Sequence, residues 1–280
     1  MAMDESTSRV ILWGVPMCLS TVFTRCMAAR GNTEIFVEPY DNCHSFGPER
    51  RVAWPAQIHS ADLVNDWQTY SWTTAKLERD YPQSVFVKDM AFAMDGKFEM
   101  LPGGYRHTFM IRDPVKVWSA YRKRITQLLS GEKNGVDSNL PGDLESYVSP
   151  SSVYKASYNL MDYVRSVLHQ TPVVVDADDL AAHPGETLRR YCSEVGIPYK
   201  EDMLNFAAQK GTEENKWHCS KFFQWGGEQG GFYDKAMKSH SFLVNKTEYR
   251  MEDLPPDVVE CVKRNQPWYE KMYALRLKPE

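Results

Sequence analysis

Residues 9–27 read Arg9-Val-Ile-Leu-Trp-Gly-Val15, then Pro16-Met-Cys-Leu-Ser-Thr21, then Val22-Phe-Thr-Arg-Cys-Met27. The first segment is an unbroken apolar, β-rich run and predicts a strand buried on both faces. Pro16 breaks the strand, and a helix follows from Ser20 to Arg30. In a parallel α/β sheet such a first loop lies at the carboxyl ends of the strands, where ligands bind. A helix that starts there aims free N–H groups and a partial positive charge at the crevice. Two readings of Ser20 stand at this level. It is the helix cap, or with Thr21 it offers hydroxyls to a bound phosphate or sulfate.

Four further segments repeat the strand pattern: Glu34–Glu38, Ser84–Lys88, His107–Arg112 and Pro172–Asp176. Helical patterns lie at Tyr70–Arg79, Pro114–Leu129, Val153–Leu168 and Pro184–Val195, with a closing amphipathic helix over Pro256–Leu275. The alternation predicts a mostly parallel α/β sheet covered by helices on both faces. No linker composition divides the chain. One domain over 1–280 is expected, with 9–200 as the α/β core and 201–280 as a C-terminal cover. Gly131–Asp143 reads as a loop.

The chain has 280 residues, with 33 Lys plus Arg against 37 Asp plus Glu, 42% apolar and 25% charged residues. A chain of this size buries roughly three quarters of its unfolded surface, so it needs no disulfide or metal staple. The net charge of −4 argues against a general nucleic-acid or anionic-membrane binder, and any polyanion must be gripped by a few placed groups. Six cysteines without a C-x-x-C pair, a polar N-terminus and short apolar runs give the expectation of a soluble, reduced, cytoplasmic protein without a metal site.

Laid on the G-x-x-x-x-G-K-[ST] phosphate-loop template, Gly14 and Thr21 fall in register, while Leu19 and Ser20 replace the second Gly and the Lys. An ATPase or GTPase needs that lysine on the terminal phosphates. Cys18 at a helix start raises a cysteine phosphatase, but Arg25 stands one residue too far along for that loop. Further on, Arg112-Asp113-Pro114 ends a strand and begins a helix. Arg112 reaches the same crevice, either as a bidentate phosphate ligand or as an ion-pair partner of a nearby carboxylate.

The P-x-x-x-S-T loop at Pro16–Thr21, the later R-D-P at Arg112–Pro114 with a serine on its helix, and Val175–Leu180 followed by His183-Pro184 together resemble the sulfotransferase superfamily. The match is best to the branch whose loop reads P-R-S-x-S-T, and it covers roughly residues 9–200. The resemblance implies a three-layer α/β/α fold of the P-loop NTPase type. It implies binding of 3′-phosphoadenosine 5′-phosphosulfate (PAPS) or its product adenosine 3′,5′-bisphosphate (PAP), and transfer of the sulfuryl group to a small-molecule hydroxyl acceptor.

By position, Cys18, Leu19, Ser20 and Thr21 would hold the 5′-phosphosulfate, and Arg112 the 3′-phosphate. The family's helix serine falls at Ala120 here, with the serine one residue earlier at Ser119. The cation and Ser expected after the loop proline are Met17 and Cys18. Arg25, one turn into the helix, is the candidate substitute. Met90 stands where cytosolic members place a catalytic His. Glu38 is therefore the first candidate for the base and His59 the second, with Lys88 at the sulfate. As structural alternatives, Glu38 caps a strand end and Lys88 pairs with Asp89. Loss of the loop cation opens a second reading, a PAP-binding protein with weak or no catalysis. The segment Gln224–Phe232 is glycine-rich and could cover the nucleotide; its aromatics and Tyr233 could wall a pocket.

Overall fold

A computed structural model describes residues 7–52, 63–130, 143–149, 152–206, 217–228, 233–244 and 247–279. Six strands are present: β1 (Arg9–Gly14), β2 (Thr33–Val37), β3 (Ser84–Met90), β4 (Arg106–Ile111), β5 (Val173–Asp176) and β6 (His218–Cys219). The helices are α1 (Ser20–Ala28), α2 (Pro39–Phe46), α3 (Tyr70–Leu77), α4 (Pro114–Ser130), α5 (Val153–Ser166), α6 (Ala177–Ala182), α7 (Pro184–Val195), α8 (Lys221–Glu228), α9 (Asp234–Lys238) and α10 (Pro256–Tyr273).

The strands form one sheet in the order β5-β4-β1-β3-β2-β6, and every pairing is parallel. β1 lies between β3 and β4; the chain runs from β1 to β2 on one side and later crosses from β3 past β1 to β4 on the other. Its carboxyl end is therefore a topological switch point, where parallel sheets open a crevice. Val10, Ile11, Leu12 and Trp13 are all buried, which is why their run shows no polar alternation.

Side-chain contacts assign the layers. On one face, Phe23 of α1 meets Phe86 of β3 and Tyr191 of α7, and the Tyr191 hydroxyl shares a 3.0 Å hydrogen bond with Thr108 of β4. On the other face, Trp13 packs against Tyr40 of α2, Tyr40 against Tyr70 of α3, and Tyr269 of α10 donates to Asp176. The result is the expected three-layer α/β/α arrangement. The same buried core takes in Trp217, Phe223, Tyr233, Val258 and Met272 from the C-terminal third.

Several elements depart from the sequence expectation, among them the short helices α6, α8 and α9. The sheet gains β6, a two-residue strand whose His218 ring stacks on Phe36 at 4.2 Å and meets Glu34 Oε2 at 2.9 Å. Two residues carry no periodicity, so only the fold reveals them. α2 carries no apolar helical pattern in the sequence: Asp41, Asn42, His44 and Ser45 are polar yet buried. Asp89 explains it: its carboxylate accepts from the N–H groups of Tyr40 (2.6 Å) and Asp41 (3.0 Å) at the helix start. Gly226–Glu228 form the end of α8 rather than a loop. Residues 229–232, residues 131–142 of the expected loop, and His59 lie outside the described residues. Among the described residues, no helix is long and apolar enough to cross a membrane.

Candidate functional site

The loop between β1 and α1 is shaped by left-handed backbone at Met17 (φ 58°) and Leu19 (φ 66°). Leu19, not Ser20, occupies the helix N-cap, and no side chain caps the helix. The first N–H groups of α1 thus have no cap from Leu19, and Ser20, through its backbone and its hydroxyl, lies within hydrogen-bond reach of the Cys18 thiol. Ser20 and Thr21 are the first helical residues and are buried, the Ser20 carbonyl accepting from the Thr24 hydroxyl at 2.9 Å. A side chain at position 14 would press tightly on the loop. A Cβ there would lie 3.2 Å from Cys18 Sγ and 3.3 Å from Ser20 Oγ, so Gly14 lets the loop fold back onto the strand.

Cys18 is buried, and burial pushes its thiol pKa up against the opposing influence of Ser20 and Lys88. A raised pKa keeps it a neutral packing residue, the reverse of what a nucleophilic cysteine needs. All six cysteines are free.

Arg112 ends β4 and braces the loop, its Nη1 donating to the Met17 carbonyl at 2.9 Å. Its Nε lies 3.5 Å from Asp178 Oδ1 but makes no hydrogen bond, and Lys116 approaches Asp178 Oδ2 at 3.0 Å. Of the two sequence alternatives for Arg112, the carboxylate neighbour is present as Asp178, and its buried Nε makes no hydrogen bond. Ser119 Oγ is likewise buried without a hydrogen-bond partner, whereas Ala120 brings no polar atom. A cleft of about 610 Å³ adjoins this corner, lined by Asp113, Lys116, Tyr249 and Arg250 among others.

Arg25 is not turned to the loop. Its Nη1 donates to the Ala236 carbonyl at 2.7 Å and to the Ser239 carbonyl, and its guanidinium lies 5.1 Å from the Phe206 ring centroid. The cation expected to substitute for Met17 instead ties α1 to the segment around α9.

Glu38 and Lys88 do come together. Glu38 follows β2 in the left-handed region (φ 55°), and Lys88 lies next to it within β3, opposite Val37. Lys88 Nζ donates to Glu38 Oε1, with side-chain exposures of 1% and 2%. Glu38 Oε2 accepts from the Tyr233 hydroxyl at 2.7 Å. Lys88 thus pairs with Glu38 and not with Asp89, because successive strand residues point to opposite faces. Asp89 caps α2 on the far face. Burial lifts the Asp89 pKa to about 7 although three backbone N–H groups donate to it. Burial, then the Glu38 charge, pushes the Asp41 carboxyl well up. The sequence names Glu38 and Lys88 separately, pairs Lys88 only with Asp89, and assigns Tyr233 only to a pocket wall. No group of His, Cys, Asp and Glu among the described residues is placed to hold a metal ion.

No family model matches the chain. Among curated proteins it is similar to branched-chain-amino-acid aminotransferase-like protein 2 from Arabidopsis thaliana. The two are 22% identical over 225 residues, which are 73% of this chain and 33% of that protein. The chain thus spans about a third of the length of that curated relative. Among solved structures it is similar to a sulfotransferase from Alicyclobacillus acidocaldarius, with 13% identity, a TM-score of 0.48, and 71% of this chain and 88% of that one covered. It is also similar to a mouse sulfotransferase complexed with PAP, with 11% identity, a TM-score of 0.48, and coverages of 95% and 89%. What the crevice can do follows from its own residues.

Proposed function

We propose that the chain is a sulfotransferase-like protein that binds PAPS in the crevice at the start of α1 and transfers its sulfuryl group to a hydroxyl acceptor. The observation that carries this reading is the uncapped start of α1, with buried Ser20 and Thr21, beside the Glu38–Lys88 pair. N–H groups and hydroxyls at a helix start suit a 5′-phosphosulfate. The orphaned Arg112 Nε and Ser119 Oγ are donors that suit a second, 3′-phosphate. The adjoining cleft with Lys116 and Tyr249 supplies a place for the nucleoside.

When bound, the donor supplies an activated sulfuryl group on a phosphate leaving group. The chain's own residues do the rest. Glu38 Oε2 accepts the proton of the attacking hydroxyl as general base. Lys88, held against Glu38, places positive charge beside the loop and stabilises negative charge as it develops on transferred and leaving oxygens. Arg112 keeps the loop in its bound shape through the Met17 carbonyl. The shell of Trp13, Phe86 and neighbouring buried side chains keeps water from the strand ends.

One observation favours a second reading, a PAP-binding protein that turns over slowly or not at all. Both Glu38 oxygens are already engaged, by Lys88 and Tyr233, and Met17 brings no cation. The test is PAPS-dependent sulfation across a broad panel of hydroxyl acceptors, run beside PAP binding. Turnover supports transfer; tight PAP binding without turnover supports the second reading. Neither binding nor turnover refutes both.

A further inference from the structure

The hydroxyl that touches the candidate base belongs to the protein itself. Tyr233 immediately precedes α9 and donates to Glu38 Oε2 at 2.7 Å, while Lys88 occupies Oε1. Its ring packs on Phe223 with centroids 4.2 Å apart, and the Lys88 ammonium lies 5.9 Å from its centroid. Lys88 stands beside Leu12 in the β1–β3 register, two residues before Gly14 where the loop begins, so one ammonium lies between the loop and the phenol. α9 itself packs against α1.

Tyr269 reaches a carboxylate as well, Asp176 Oδ2 at 3.3 Å, while two other buried tyrosines end on backbone carbonyls. Tyr70 donates to the Ala93 carbonyl at 2.7 Å and Tyr105 to the Leu77 carbonyl at 2.6 Å, which satisfies a phenol at little cost. Tyr233 instead meets a carboxylate braced by a lysine, the surroundings an acceptor hydroxyl needs for attack. Burial and the Glu38 charge push the Tyr233 pKa well above the usual range, so its proton must leave during the transfer, to a base already in contact.

We propose that Tyr233 is an internal acceptor, a modification site that takes a sulfuryl group from a phosphosulfate donor held at the start of α1. This rests on the donor reading of the crevice. Tyr233 Oη forms the new O–S bond as the donor's S–O bond to its phosphate breaks. The electron pair leaves on the phosphate oxygen, and the phenolic proton passes to Glu38 Oε2. The product is a tyrosine O-sulfate, which carries a negative charge and has no hydrogen to donate. Once Glu38 loses its acquired proton, the two anions repel. The tie between α9 and the end of β2 is then lost, and the crevice opens to external hydroxyls. Self-modification therefore acts as a release of the site.

The test incubates the full chain with PAPS and maps modified peptides by mass spectrometry under conditions that keep sulfate esters, with the as-purified chain as reference. PAP-induced melting shifts are measured in parallel. The expected result is a gain of one sulfuryl group on the peptide carrying Tyr233. That gain is absent in Tyr233→Phe and at least tenfold lower in Glu38→Gln, while Tyr233→Phe keeps the PAP shift. A PAP shift with Tyr233 unmodified, or with the label elsewhere, overturns the internal acceptor and leaves donor binding standing. No PAP shift and no label overturn both. The wild-type peptide map decides the question even if a variant fails to fold.

Discussion

Replacing Lys88 by Met removes the cation from a pair that the fold has taken out of water. The Lys88 and Glu38 side chains are 1% and 2% exposed, and Glu38 would keep a single side-chain donor, Tyr233, at 2.7 Å. Breaking a buried pair by removing one partner costs about 3–5 kcal/mol, largely for the unpaired charge left behind. Lys88→Met is therefore expected to lower unfolding free energy by about that much. Adding Glu38→Gln removes the stranded charge and keeps an amide oxygen for Tyr233, so the double variant should recover at least about 2 kcal/mol. Denaturant unfolding of the wild type, both single variants and the double variant measures the cycle, provided the slope is unchanged. Costs that add within about 0.5 kcal/mol would show that the two groups do not act as a pair, and the assignment of Glu38 as a lysine-braced base would fall with them.

Other expectations follow from the same geometry. Trp13 Nε1 donates to His107 Nδ1 at 3.0 Å, which requires a neutral ring, and burial lowers the His107 pKa from 6.5 to about 4. The unfolded chain then binds more protons between those values, so stability present above about pH 6.5 is lost as pH falls toward 4. The loss is about 3 kcal/mol. His107→Gln keeps an acceptor for Trp13 and should flatten that part of the pH–stability curve. An unchanged curve would refute the assignment. Arg112→Met removes both the Met17 brace and the orphaned donor, and should weaken PAP binding at least tenfold in a calorimetric titration. Undiminished affinity would remove Arg112 from the nucleotide site. The double change Met17→Arg, Cys18→Ser adds the missing loop cation and should raise PAPS-dependent transfer by ~10²-fold. No gain would mean that Lys88 already fills the role or that transfer does not occur.

How much was legible depended on whether a signal was local. β1 and its loop could be read because a doubly buried parallel strand must be continuously apolar, and Pro16 breaks it. Arg112, Glu38 and Lys88 could be placed because each stands at or near the end of a strand of that kind, and strand ends in a parallel sheet share one edge. What escaped were contacts made across the chain. Tyr233 meets Glu38 over a separation of 195 residues, and Arg25 meets Ala236 over 211. No spacing rule reports a pairing at that distance. Arg25 shows the cost: its position on α1 was right for a phosphate, but the carbonyls of the C-terminal segment captured its donors. α2 was hidden for a related reason, since its buried polar residues are made tolerable by Asp89, a cap supplied from another element.

The central claim is that the uncapped start of α1 and the Arg112 corner together hold a bisphosphate nucleotide. Melting of the purified chain against increasing PAP tests it most directly. The melting temperature is expected to keep rising with the logarithm of PAP concentration. Stabilisation should be about 2.7 kcal/mol at a hundredfold excess over the dissociation constant, with adenosine giving no comparable rise. A melting temperature that stays fixed up to millimolar PAP, or that rises equally with adenosine, would contradict it.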